Sequence, residues 1–229
     1  MEKSQCLRQK QAQKKKTVKA KRQAESLYPP STVIPKYVIG IDPGLRGAVA
    51  VLSQDFSKKK IVVHEVFDCP LKAGGLTKKA REKPNSITFD LQGMLHVLRT
   101  IGKRYEVWDT QVFIEQSQVM SKGGRQQGSV SNFTIGYGYG LWMMALVSVD
   151  LPWIYSFAPI EWSRRLFSME PYKSMETTKD RSIAYVKAVF PKVSLLPEDN
   201  KRVKKERDGR ADAIAIACYG IQHYMWEDK

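Results

Sequence analysis

The chain is poor in the residues that most often build metal and nucleophile sites. Its three cysteines (Cys6, Cys69, Cys218) lie far apart with no C-x-x-C pair, and its three histidines (His64, His96, His223) are equally scattered. That spread excludes a disulfide framework and a Cys/His zinc site, fits a reducing interior, and leaves little for a histidine-based triad. His96 falls on an expected helix and reads as ordinary structure. A long apolar run is also missing. The uncharged stretch 126–149 has Gln, Ser, Asn and Gly in its first half. Only about fourteen of its residues are truly apolar, short of the roughly twenty a bilayer needs, so it reads as a buried helix and no membrane partner is expected. The N-terminus has no hydrophobic h-region, which excludes a secretory signal, and no lipidation signal is visible.

Negative charge is scarce beside positive: 23 Asp and Glu face 38 Lys and Arg, for a net charge of +15 over 229 residues. Residues 1–36 hold ten Lys/Arg and two Glu, or +8, which leaves +7 on residues 37–229. The body is therefore basic without its arm, and a basic body favours a polyanionic partner, nucleic acid before membrane. The chain divides into a basic arm and linker, 1–36, and one domain, 37–229. Residues 1–23 lack an apolar periodic face and are expected to be disordered or weakly helical. As a nucleic-acid arm, a nuclear-type basic cluster or the remnant of a trimmed precursor they read equally well. The proline-bearing stretch 28–35 is a stiff linker.

The body opens on YVIGIDPGLRGAVAVL, two apolar strands (Tyr37–Ile41 and Gly47–Leu52) joined by a tight turn. Pro43 presets one backbone angle of that turn, and Gly44 is expected to take a positive φ. Asp42 stands at the end of the first strand. Alone it is a turn former; it gains meaning only if distant carboxylates meet it.

Lys60–Phe67 completes an antiparallel meander, and Lys72–Pro84 is a basic, glycine-containing loop. Apolar residues at helical spacing predict a helix over Thr88–Tyr105. Gln111–Glu115 is a short apolar strand ending in a carboxylate, and Gln116–Gly128 is a polar, glycine-rich loop. A long helix follows over 129–149, where Gly136, Gly138 and Gly140 permit close packing on the sheet. A strand (Asp150–Phe157), a helix from Pro159 to Phe167 and a helix over Lys179–Val189 come next. The last helix, 209–224, is preceded by a charged segment, 197–208. Asp208 and Asp212, four apart, share one helical face.

Three antiparallel strands, a helix, a strand, a long helix, a strand and then helices predict an RNase H-like α/β fold: a mixed five-stranded sheet flanked by helices. In that layout Asp42 and Glu115 end adjacent strands, and Asp208 and Asp212 arrive on a helix crossing the same edge. Four carboxylates brought together repel one another unless cations sit between them. Hard oxygen donors suit two Mg²⁺ ions, with Mn²⁺ as an alternative. Such a pair orients an attacking water and stabilises the leaving oxygen of a phosphodiester. Directly after Glu115, the segment Lys122, Gly123, Gly124, Arg125, Gln126 and Gln127 is the best DNA-contact candidate. Its glycines allow close backbone approach, its cations neutralise phosphates, and its amides read base edges. Lys173 is a further phosphate candidate, with Lys78, Lys79, Arg81 and Arg181.

The motifs VIGIDPGLRGAVAV, VFIEQ and DGRADAIAIA resemble the three acidic motifs of RuvC-type Holliday junction resolvases. SKGGRQQGSVSNFTIGYGYGLW and the i, i+4 spacing of the last two acids are most similar to the plant and algal plastid branch. The resemblance runs from about Val38 to Tyr224. It implies a homodimer that resolves four-way junction DNA by paired nicks, in the chloroplast, with Asp42, Glu115, Asp208 and Asp212 as catalytic metal ligands. It also implies a place for Lys179 near the scissile strand. Where bacterial members carry an aromatic three residues after the motif glutamate, this chain has Gln118, so stacking there is either lost or taken over elsewhere, with Phe133 and Met120 as the candidates. The last acid is Asp212 where plastid members often carry Glu. A catalytically silent nucleic-acid-binding protein on the same fold is the alternative. An actin-like or sugar-kinase ATPase is disfavoured by the missing second phosphate loop and second lobe.

Overall fold

The computed structural model describes residues 35–55, 60–74, 86–117, 121–122, 125–126, 128–151, 153–197 and 206–227. The basic arm lies outside them, except for Pro35 and Lys36. The strands are β1 (Tyr37–Ile41), β2 (Ala48–Asp55), β3 (Lys60–Asp68), β4 (Leu71–Ala73), β5 (Ile87–Phe89), β6 (Thr110–Glu115), β7 (Ser121–Lys122), β8 (Arg125–Gln126) and β9 (Trp153–Phe157). The helices are α1 (Leu91–Arg104), α2 (Ser129–Val147), α3 (Pro159–Leu166), α4 (Thr178–Val189) and α5 (Asp208–Glu227).

One sheet organises the domain, in the order β3-β2-β1-β6-β9. β1 runs antiparallel to β2 and parallel to β6, and β6 parallel to β9. This mixed five-stranded sheet with helices on both faces is the RNase H-like layout that the element order predicts. Alternation along β1 serves both faces, because successive side chains of a strand point opposite ways. Ile39 and Ile41 join Met94 and Leu98 of α1 and Trp142 and Leu146 of α2, all fully buried. Val38 faces the other way, into a core with Trp162 of α3, Val186 of α4 and the apolar run of α5.

α5 rests on the strands with almost no side-chain spacer. Ala211, Ala213, Ala215 and Ala217 are fully buried, and a Cβ placed on Gly40 of β1 would lie 2.2 Å from the Ala213 carbonyl oxygen. A Cβ on Gly209 would lie 2.0 Å from the Arg46 carbonyl oxygen, so the start of α5 is seated on the β1–β2 turn. Gly138 of α2 meets the same turn from the other side, with the Pro43 carbonyl oxygen 2.8 Å from where its Cβ would be. Gly136 and Gly140 have open space around them instead, so of the three glycines expected to pack closely only Gly138 does.

Several expected boundaries move, for local reasons. The expected helix start at Thr88 belongs to β5, which pairs with β4; Asp90 then closes the strand by donating its N–H to the Pro70 carbonyl at 3.0 Å. α2 stops at Val147 and Asp150 takes φ 52, a left-handed conformation that Asp tolerates, so β9 begins at Trp153 rather than Asp150. The stretch expected as the loop 116–128 contains the paired strands β7 and β8. Gly44 does not have a positive φ: among the described glycines only Gly74 does. The turn is set by Asp42, whose Oδ1 accepts from the Gly44 N–H at 3.0 Å, and by Gly47, where a Cβ would lie 2.1 Å from the Asp42 carbonyl oxygen. Among the described residues no helix is long and apolar enough to cross a membrane.

Candidate active site

β1 and β6 are adjacent and parallel, with Ile41 opposite Ile114, so their carboxylates leave the sheet at one edge: Asp42 just past β1 and Glu115 as the last residue of β6. α5 crosses that edge and brings Asp208 in its first turn, where the helix dipole favours an acid, and Asp212 one turn later. The structure thus draws all four sequence-selected acids into one electrostatic group. Asp42 feels Asp208, Glu115 feels Asp42, and Asp212 feels Asp42, Glu115 and Asp208.

Burial and mutual repulsion hold protons on these groups. Burial pushes the Asp42 carboxyl up to about 6, opposed by its bond from Gly44, with the charge of Asp208 raising it and that of Lys179 lowering it. Burial and then Asp42 push Glu115 up to about 7, opposed by the Trp162 indole. Asp212 is raised well above the ordinary carboxylate range by burial first and by the Asp42 charge next. Its buried Oδ1 has no hydrogen-bond partner among the described residues. An arrangement that makes three carboxylates hard to ionise weakens the fold and is the usual mark of a functional site.

Each acid is held by a specific neighbour. The Trp162 Nε1–H of α3 donates to Glu115 Oε2 at 2.6 Å. Ser182 of α4, whose hydroxyl donates to the Lys179 carbonyl at 3.1 Å, lies beside Asp212 and favours its ionised form. The Lys179 ammonium forms an ion pair with Asp208 and also feels Asp212 and Asp42. Lys179 sits in the first turn of α4, a poor place for a cation on dipole grounds, so the acids across the cleft are what favour it there. Arg210, between the two α5 acids in sequence, does not neutralise them. It is 4% exposed and points to the β3 end, with Nη1 3.2 Å from Asp68 Oδ1; Arg207 Nη1 lies 3.3 Å from Asp68 Oδ2. This ion-paired group fastens the start of α5 to β3.

The donor set is one that hard divalent cations prefer: four carboxylates, one with an orphaned buried oxygen. Its chemistry fits Mg²⁺ or Mn²⁺. Among the described residues, however, no three of the acids stand grouped closely enough to hold an ion as they are. Asp208 is turned to Lys179 and Glu115 to Trp162.

The structure describes only some of the remaining candidates. Lys122, Arg125 and Gln126 belong to the short β7–β8 pair, while Gly123, Gly124 and Gln127 are outside the described residues, as are Lys78, Lys79, Arg81, Gln118 and Met120. Lys173 is exposed on the connection between α3 and α4. Arg181 is committed to structure: its Nη2 donates to the Met175 carbonyl at 2.7 Å and the Lys173 carbonyl at 3.3 Å. Phe133 is 61% exposed on α2 and stacks on Tyr137 with ring planes 12° apart.

Sequence reasoning passed over Trp162, Ser182 and Asp68. Only the third left a signal: Arg210 lies two residues from each α5 acid, a spacing that turns it off their face and requires a partner elsewhere.

No family model matches the chain, and no curated protein sequence matches it. Among solved structures, T. thermophilus RuvC in complex with a Holliday junction substrate is similar, with 20% identity and a TM-score of 0.49 over 83% of this chain and 96% of that one. The yeast mitochondrial Holliday junction resolvase Ydc2 is similar with 16% identity and a TM-score of 0.43, over 85% of this chain and 82% of that one.

Proposed function

We propose that the chain is a metal-dependent, structure-selective DNA endonuclease that resolves four-way junctions by paired, symmetric nicks. The observation that carries this reading is the meeting of Asp42, Glu115, Asp208 and Asp212 at one sheet edge, under burial and repulsion that favour a bound cation. The basic body, at +7 without the arm, supports a nucleic-acid substrate. The three acidic motifs support the junction.

In this reading the four carboxylates hold two Mg²⁺ ions, which would supply an activated water and a counter-charge for the leaving oxygen. The chain's own residues prepare that chemistry. The Gly44 N–H fixes Asp42 and the Trp162 indole fixes Glu115, while Ser182 stands beside Asp212 and favours its ionised form. Lys179, freed from Asp208, meets the phosphate of the cut strand. The β7–β8 segment from Lys122 to Gln127 and Lys173 hold DNA, and the basic arm adds affinity for any DNA. A plastid location follows from the motif resemblance.

Paired nicks require two such sites, and α2 offers a surface for a second copy of this chain. Val130, Phe133, Tyr137, Met144 and Val147 are exposed along one side of a helix without a single charge. Gly136 and Gly140 on that side have open space where a Cβ would stand, which lets another backbone approach.

The test is cleavage of a synthetic four-way junction with Mg²⁺. Wild-type protein is expected to release two nicked duplexes, and Asp42→Asn to bind the junction without cutting it. Equal cutting by the variant would overturn the assignment. Tight binding by the wild type without cleavage under any divalent ion would favour the silent binding protein, a reading that the presence of all four acids argues against.

A further inference from the structure

Beside the acids lies a cavity of about 580 Å³ whose use the reading above leaves open. Four elements enclose it: the β1–β2 turn, the β4–β5 pair, the start of α4 and the approach to α5. Its apolar wall comes from Leu45, Leu71, Ile87 and Ile183, and its rim carries Arg46 and Lys179. Through Lys179 and Asp208 it is continuous with the carboxylate group.

The acids on its lining are already answered. Asp208 pairs with Lys179, Glu206 Oε1 lies 2.7 Å from the Lys187 ammonium, and Asp180 accepts from the Thr177 hydroxyl at 2.6 Å. Arg46 is exposed beside the aliphatic wall. The space therefore combines a wall suited to a flat apolar face with a cation suited to a phosphate. Ile87, 48% exposed, presents its aliphatic face to this space.

We propose that this cavity receives one unstacked nucleobase of the cut strand, beside the phosphate to be cleaved, with Arg46 on the adjoining phosphate. The inference rests on the reading that the chain cuts junction DNA. Taking a base out of the stack costs a few kcal/mol in a duplex and least where pairing is already broken, as at the centre of a junction. The cavity thus couples cutting to a place where a base can leave its partner. It also gives the enzyme a means of preferring some bases over others at the cut, since a base seated there is read by its fit to the wall.

The experiment uses the full chain, Ca²⁺ in place of Mg²⁺, and junctions with 2-aminopurine at each position flanking the cut. On binding, a severalfold rise in fluorescence is expected at one flanking position. At protein concentrations that saturate the junction, Ile87→Asp is expected to remove the rise and Ile87→Leu to restore it. If the junction is bound and, with Mg²⁺, cut, yet no flanking position brightens, the inference fails while the proposed function stands. A rise that Ile87→Asp leaves intact also overturns it. Failure of the wild type to bind or cut junctions overturns the proposed function, and this inference with it.

Discussion

Trp162 donates its indole N–H to the Oε2 of Glu115 at 2.6 Å, joining the first helix after β9 to the last residue of β6. A bond to a charged acceptor is worth about 1.5–3 kcal/mol. It both orients the carboxylate and favours its ionised form. Trp162→Phe keeps the buried ring and deletes the donor. The expected result is a further rise in the Glu115 pKa, seen as an acid limb of the cleavage pH profile moved to higher pH. At pH 7 the cutting rate should fall about tenfold or more. An unchanged profile would show that the bond plays no part.

Stability and activity should respond to pH in opposite directions. Asp42 and Glu115 rise from ordinary values of 3.8 and 4.5 to about 6 and about 7. Between those limits the folded protein keeps protons that the unfolded chain has released. Raising the pH therefore lowers stability from about pH 4, levelling off above about pH 7. Metal-free protein is expected to melt several degrees lower at pH 8 than at pH 5, and Asp42→Asn, which keeps an acceptor for Gly44, to lose part of that difference. Cleavage, which needs the ionised acids, should rise over the same interval.

Lys179 acts as a resident cation while it holds Asp208. Lys179→Met should leave the acids less neutralised, so metal-free protein melts lower and binds Mg²⁺ or Mn²⁺ more tightly by calorimetry. Cutting should slow, because the same ammonium is then missing from the phosphate. Unchanged metal affinity would separate Lys179 from the cation site.

The exposed side of α2 gives a direct test of pairing. Phe133→Asp is expected to convert a dimer into a monomer in light scattering without lowering the melting temperature at low protein concentration. Gly136→Val should do the same by blocking close approach. If both variants keep the wild-type mass, the second copy docks elsewhere.

Gly209→Ala should be far more damaging than its single methyl suggests. The added Cβ would lie 2.0 Å from the Arg46 carbonyl oxygen, and such overpacking costs about 1–3 kcal/mol or more. For a domain of this size the melting temperature should fall by about 2–4 °C for each kcal/mol.

Much of this was readable along the chain, and what was not has a common physical cause. The element order, the ends of β1 and β6 and the shared face of Asp208 and Asp212 follow from periodicity, which is a local property, and the element order in turn pointed to the layout of the sheet. The β4–β5 pair was hidden because Thr88 and Phe89 satisfy a helical spacing and a strand equally well; the partner strand decides. Gly44 was credited with an unusual backbone angle, while the real constraint sits at Gly47, against a carbonyl. Trp162 escaped because an orienting donor is defined by what it touches, and no spacing marks it.

The seating of Gly209 on the Arg46 carbonyl also has a meaning for the birth of the protein. A ribosome makes β1 early and α5 late, so the surface of β1 around Gly40 stays uncovered until that distant helix arrives. A chain halted before Asp208 carries Asp42 and Glu115 alone. On the function proposed for these acids, the four-carboxylate set is complete only once the last helix has docked.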